Sequence, residues 1–333
     1  MALLLAALFA VLSSLPIESE DDDISDEYSI AITATLNGFD NPTYVLPMEP
    51  SRLLVAENKR VRLVPLEDTQ SAITIYRQFE YPTGLAQIGE YVYAAQQSGR
   101  GLQRFLMDGT ILASVGSMAA GRHPHIDSAL GVAAGGGMIF VADVTAYRVT
   151  AFDDKLQNNL WITGQGMMSA EFRRASGCSV RQSSPGTPFQ GPSCFNPHGL
   201  AWSPRHGGRL FVADADNDAI VVLDAASGVH VRTVLGSDDL FRSPRGLGMT
   251  PSGRLLVAER TRVVMLSPGG RRRLARCSVP GASSMLGVGV DARHHRAYIA
   301  DPGSNAIYVL ALRGENDGTP RKNAVALATV ELR

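Results

Sequence analysis

Apolar residues in this chain come in short runs rich in Val, Leu, Ile and Ala, cut by Gly, Pro, Asn and Asp. Helical spacing sustained over three turns is hard to find, so the pattern predicts strands joined by turns. One order of strands recurs. In 196–242, GLAWS, RLFVAD, AIVVLDA and VHVRTVLG read as strands a, b, c and d, separated by turn residues. Other copies are SPRGLGMTPSGRLLVAERTRVVMLSPGG (243–270), SSMLGVGVDARHHRAYIADPGSNAIYVLALRG (283–314), SALGVAAGGGMIFVADVTAYRVTAFDD (128–154) and YPTGLAQIGEYVYAAQQSGRGLQRFLMDG (81–109). A degenerate first copy, NPTYVLPMEPSRLLVAENKRVRLVPLED, occupies 41–68.

The shared grammar is Pro-x-Gly-Leu, a short apolar stretch, a turn, Val-Ala-Asp/Glu, a polar turn and an alternating strand. Its acidic position falls at Glu57, Asp143, Asp214, Glu259 and Asp301, with Ala95 in that place in the second copy. A four-stranded unit of roughly 40–47 residues repeated six times predicts an all-β, six-bladed β-propeller of four-stranded antiparallel blades. The grammar resembles NHL repeats over residues 29–314, and the resemblance implies an NHL-like propeller. SIAITATL (29–36) is expected to supply strand d of the last blade and close the ring, with AVALATVEL (324–332) as its rival.

The ends of the chain read differently. Residues 2–12 form an uncharged apolar run, too short to span a bilayer and suited to the core of a secretory signal. This gives an expected signal peptide over 1–14, an acidic solvated spacer over 15–28, the propeller over 29–314 and a tail over 315–333. The expectation is a protein of the secretory lumen or exterior, with no membrane span. Residues 165–195 read as a polar insertion, a candidate lid or partner-contact loop. Cys178 and Cys194 flank it and could form a disulfide in an oxidising compartment, leaving Cys277 as an odd, half-buried thiol.

The formal charge of −1 hides an asymmetry. Residues 18–27 carry seven acids, so the rest holds 25 acids against 31 bases. Arginines 271, 272, 273, 276, 293 and 296 cluster late in the chain, but few aromatics interleave with them. A charged, solvated edge fits them better than a nucleic-acid stripe.

In an antiparallel meander the start of strand a and the end of strand b share a face. Thr83, His198, Arg245 and Met285 therefore share it with Glu57, Asp143, Asp214, Glu259 and Asp301, and that face is the expected binding site. The acids are expected to brace backbone turns. Asp214, Asp216 and Asp218, with His198, are the weak candidates for a metal such as Ca²⁺ or Zn²⁺, although DADND lacks the Gly and Glu of an EF-hand loop. The resemblance adds a zinc-lyase alternative, because some NHL-type propellers that amidate peptides carry a His in a similar Pro-His segment. The equivalent positions here, Thr83, Arg245, Met285 and Ser128–Ala129, hold no second His, and only His123 and His125 could approach. No nucleophile elbow, phosphate loop or dinucleotide fingerprint is present. The leading expectation is thus a monomeric binding or scaffold module for a protein or small ligand, with no cofactor. A metal-dependent propeller enzyme (lyase or hydrolase) and an intracellular RNA- or protein-recognition propeller are the alternatives.

Overall fold

The computed structural model describes residues 28–76, 79–97, 101–116, 126, 128–164 and 195–314. The expected signal segment 1–14, the acidic run 18–27, His123 and His125, Cys178 and Cys194, nearly all of the 165–195 insertion and the 315–333 tail lie outside them. The described residues form six sheets of four antiparallel strands and contain no α-helix.

Blade 1 comprises β2 (Tyr44–Met48), β3 (Arg52–Glu57), β4 (Arg60–Pro65) and β5 (Ile73–Tyr76). Blade 2 comprises β6 (Pro82–Ile88), β7 (Tyr91–Gln96), β8 (Leu102–Phe105) and β9 (Ile111–Val115). Blade 3 is β10 (Ala129–Gly135), β11 (Met138–Asp143), β12 (Arg148–Asp153) and β13 (Asn159–Thr163). Blade 4 is β14 (Pro197–Ser203), β15 (Arg209–Asp214), β16 (Ala219–Asp224) and β17 (His230–Leu235). Blade 5 is β18 (Gly246–Met249), β19 (Leu255–Ala258), β20 (Arg262–Leu266) and β21 (Arg273–Ser278). Blade 6 is β22 (Val288–Asp291), β23 (Arg296–Asp301), β24 (Ala306–Arg313) and, from the other end of the sequence, β1 (Ser29–Leu36).

The core is a set of wedges between blades, which explains the sequence of strand b. In β3, β7, β11, β15 and β23 every residue after the first is buried. A strand covered on both faces needs a continuous apolar run, whereas outer strands such as β21 stay partly exposed. Each apolar cluster joins two adjacent blades. Phe140, Val149 and Trp161 of blade 3 meet Leu210, Val212 and Val221 of blade 4. Ile30 of β1 joins Val263 and Met265 of blade 5 with Leu310 of blade 6, while Leu36 joins Ile307 of blade 6 with Val55 and Val64 of blade 1.

β1 closes the ring. It runs antiparallel to β24 from Ser29↔Arg313 to Leu36↔Ile307, with one irregularity between Ile32 and Ala34. This is the pairing the sequence suggested for SIAITATL.

Candidate functional site

In blades 2 and 4 the Pro-x-Gly-Leu segment opens strand a, β6 beginning at Pro82 and β14 at Pro197, while in blade 5 strand a begins at its glycine, Gly246. The reason for their glycine is contact between blades. A Cβ at Gly131 would lie 2.1 Å from the His198 carbonyl oxygen, at Gly199 2.4 Å from that of Arg245, and at Gly246 1.8 Å from that of Leu286. Gly84 and Gly287 are confined in the same way by Leu130 and by the Thr43–Tyr44 backbone. No side chain fits there. The Gly199 N–H also donates to the Arg245 carbonyl at 2.7 Å, binding blade 4 to blade 5 at the axis. In blade 1 the equivalent residue is Tyr44, paired with Ala56 as Gly246 pairs with Ala258.

This register fixes which residues converge. The position before the glycine is Thr43, Thr83, Leu130, His198, Arg245 and Leu286 in blades 1 to 6. All but Thr43, which is 2 % exposed, are partly buried. All six line one open cavity of about 450 Å³, mouth included. Tyr44, Tyr81 and Gln97 complete its wall with the axial glycines. Because every blade contributes, the cavity lies on the ring axis, on the face where strand a begins.

Three of the expected site residues, Thr83, His198 and Arg245, are therefore brought together. Two register positions differ from the sequence reading. Met285 is fully buried in the core between blades 5 and 6, and Leu286 takes its expected place. Leu130, rather than Ser128–Ala129, represents blade 3. Both copies lack the Pro-x-Gly spacing that marks the position elsewhere; the glycine's contact with the neighbouring blade sets it.

The acids share this face but do not line the cavity. Each is buried; four are tied to the loop that enters strand a or to the turn after strand b, and Glu57 is tied to arginines of strand c. Asp301 accepts from the N–H groups of Ser283 (2.8 Å), Ser284 (2.9 Å) and Gly303 (3.0 Å). Asp143 receives Ser128 N–H, the Thr145 hydroxyl and Arg148 at 3.0 Å. Glu57 pairs with Arg60 and Arg62, and Glu259 with Arg262 and the Arg242 N–H. In blade 2 the equivalent is Gln96 rather than Ala95. Gln96 ends β7 opposite Pro82, as Asp214 ends β15 opposite Pro197, and its Oε1 accepts the Glu80 N–H at 3.1 Å. A neutral amide thus serves the same bracing role, which no acid-based pattern could flag.

Asp214, like Asp301, has only neutral partners: the Asn196 N–H at 3.1 Å and Asn217 Nδ2 at 2.9 Å from each oxygen. Burial, reinforced by nearby Asp216, raises its pKa to about 6 against those hydrogen bonds. Asp218 turns away to accept the Ser243 N–H of the next blade. Asp214, Asp216, Asp218 and His198 do not converge on one point. Among the described residues no three His, Cys, Asp or Glu side chains form a metal-sized cluster.

At the cavity wall His198 is held neutral. Burial lowers its pKa to about 4, the Arg245 charge adds to that effect, and Asp216 opposes it. The Arg245 guanidinium meets only a neutral partner among the described residues, the Ser284 hydroxyl at 3.3 Å. Thr83 donates its hydroxyl to the Ala129 carbonyl of blade 3 at 2.7 Å, so it latches blades as well as lining the site.

Away from the axis, Cys277 is a half-buried thiol whose pKa burial raises. His294 pairs with Asp291 in the a–b turn of blade 6, at the opposite end from the cavity. Arg273 donates to the Asp238 carbonyl and Arg293 pairs with Glu49, two separate local contacts. No described helix is long and apolar enough to cross a membrane.

No protein-family model matches the chain, and no curated protein matches its sequence. Solved structures do match it. A gluconolactonase from Xanthomonas campestris, described as important in glucose secondary metabolic pathways, superposes with a TM-score of 0.61 at 14% identity, covering 86% of this chain and 95% of that one. The WD40 β-propeller domain of Doa1 gives 0.57 at 12% identity, covering 87% and 98%. A structural-genomics protein of unknown function from Bacteroides thetaiotaomicron gives 0.59 at 14% identity, covering 85% and 76%. At these identities the likeness shows the propeller fold alone.

Proposed function

We propose that this propeller is a binding module whose ligand site is the axial cavity at the start of the six a strands. The carrying observation is that all six blades contribute to one concave site while the repeated acids are buried and committed to partners within the blades. The site combines a cation, a neutral imidazole and apolar wall, the mixture that small-ligand pockets use for orientation and affinity. NHL-like kinship remains part of this reading, supported by the repeat grammar. So does passage through the secretory pathway, supported by the apolar run 2–12 and testable by N-terminal sequencing of the mature protein.

A propeller enzyme, the class of the Xanthomonas campestris neighbour, is the second reading. It draws on fold likeness, but the described residues offer no converging donor set for a catalytic metal.

The test is a thermal-shift screen of a metabolite library against the wild type and Leu130→Trp, which adds bulk to the cavity wall. Ligands that stabilise only the wild type support the reading. Equal shifts in both proteins, or none in either, would refute it.

A further inference from the structure

Arg245 brings a positive charge to the axial cavity. It is partly buried, it belongs to the cavity wall, and no described carboxylate pairs with it. A guanidinium keeps its charge at any ordinary pH, and a concave, low-dielectric wall concentrates the resulting field. Asp216 is near enough to act on His198 but neither lines the cavity nor pairs with Arg245, and the described polar groups that do line it add no negative charge. His198 is neutral and so carries one N–H. Burial pushes the Tyr44 phenol up to about 12, so it adds no negative charge. The Tyr81 hydroxyl accepts from Asn41 Nδ2, which leaves its own proton to donate outward. Among the described residues no Asp or Glu lines the cavity, while Leu130 and Leu286 supply apolar wall on either side of the His198–Arg245 pair.

We infer that the axial cavity takes small organic monocarboxylates, the carboxylate against the Arg245 guanidinium and the carbon body against Leu130 and Leu286. The planar fork of an arginine matches a carboxylate bidentately, and one positive charge balances one negative charge. A compact inorganic dianion would leave the apolar walls uncovered and an excess charge in the site. This inference rests on the reading of the cavity as the ligand site.

The experiment is calorimetric titration of the full chain with benzoate and with benzamide, nearly the same shape but uncharged. Benzoate is expected to bind at least about tenfold tighter than benzamide, and Arg245→Gln to erase that preference. Arg245→Lys should retain part of it, and added salt should weaken benzoate alone. Unchanged unliganded melting temperatures in both variants show that folding is not the cause. Equal affinity for the two compounds, unaltered by Arg245→Gln, overturns the carboxylate inference; if Leu130→Trp abolishes both, the cavity remains the ligand site. Binding of neither compound also overturns the inference. In that case library hits lost in Leu130→Trp would preserve the site, and an empty screen would remove both.

Discussion

Ring closure by β1 can be tested with two side chains that belong to different wedges. Ile30 is 8 % exposed and packs between blades 5 and 6; Leu36 is 5 % exposed and packs between blades 6 and 1. They stand at opposite ends of an eight-residue strand, about 20 Å apart at 3.3 Å per residue. Truncating either to Ala removes buried apolar surface and leaves a cavity, a loss of about 2–5 kcal/mol. Sites that far apart with no shared partners should add, so Ile30→Ala/Leu36→Ala should lose about 4–10 kcal/mol. A domain holds only about 5–15 kcal/mol in total, so the double variant should be near unfolding. At about 2–4 °C per kcal/mol, each single change should lower the melting temperature by roughly 4–20 °C. The control is Ile111→Ala on the outer strand β9, a residue 41 % exposed, with an expected change under about 1 kcal/mol. Urea unfolding followed by tryptophan fluorescence and circular dichroism reads all four proteins. If the β1 variants unfold with the control, β1 does not close the ring. If the double loss is far from the sum, the two ends of β1 do not occupy independent wedges.

The axial contacts predict that Gly246→Ala, whose Cβ would meet the Leu286 carbonyl oxygen at 1.8 Å, loses at least about 1–3 kcal/mol in urea. An unchanged midpoint would show that the inner strands are not in backbone contact. Asp214 predicts a pH dependence. Its folded pKa of about 6 lies above the ordinary carboxylate value of 3.8, so the folded state holds the proton more tightly. Stability from this group is present below about pH 4 and is lost as pH rises through 6, by about 1–3 kcal/mol. Asp214→Asn should flatten that window in urea midpoints measured from pH 4 to 7, and a profile identical to wild type would count against the buried, cation-free setting of Asp214.

The fold was legible because one packing demand is met repeatedly. A b strand buried on both faces must read like RLFVAD or MIFVAD, and the polar turns between such runs set the blade period. The short run SIAITATL was legible as a closing strand because it alone precedes the first copy with strand-like alternation. The site was legible where Pro-x-Gly was intact, at Thr83, His198 and Arg245. It was misread by one residue at Met285 and missed at Leu130, since the neighbouring blade's carbonyl, absent from any local pattern, fixes that register. Gln96 was missed for a related reason: the loop needs an acceptor, and an amide oxygen serves as well as a carboxylate. Tyr44 took the glycine position unnoticed, because only the three-dimensional register identifies it as the sixth member of the axial set.

The central claim is that His198 and Arg245, from neighbouring blades, face one desolvated cavity on the axis. The most direct measurement is the NMR titration of the His198 ring Cε1–H in wild type and Arg245→Gln. A pKa of about 4 in the wild type, rising when the guanidinium is removed, is the predicted result. A pKa near the ordinary 6.5, indifferent to the Arg245 substitution, would contradict the account.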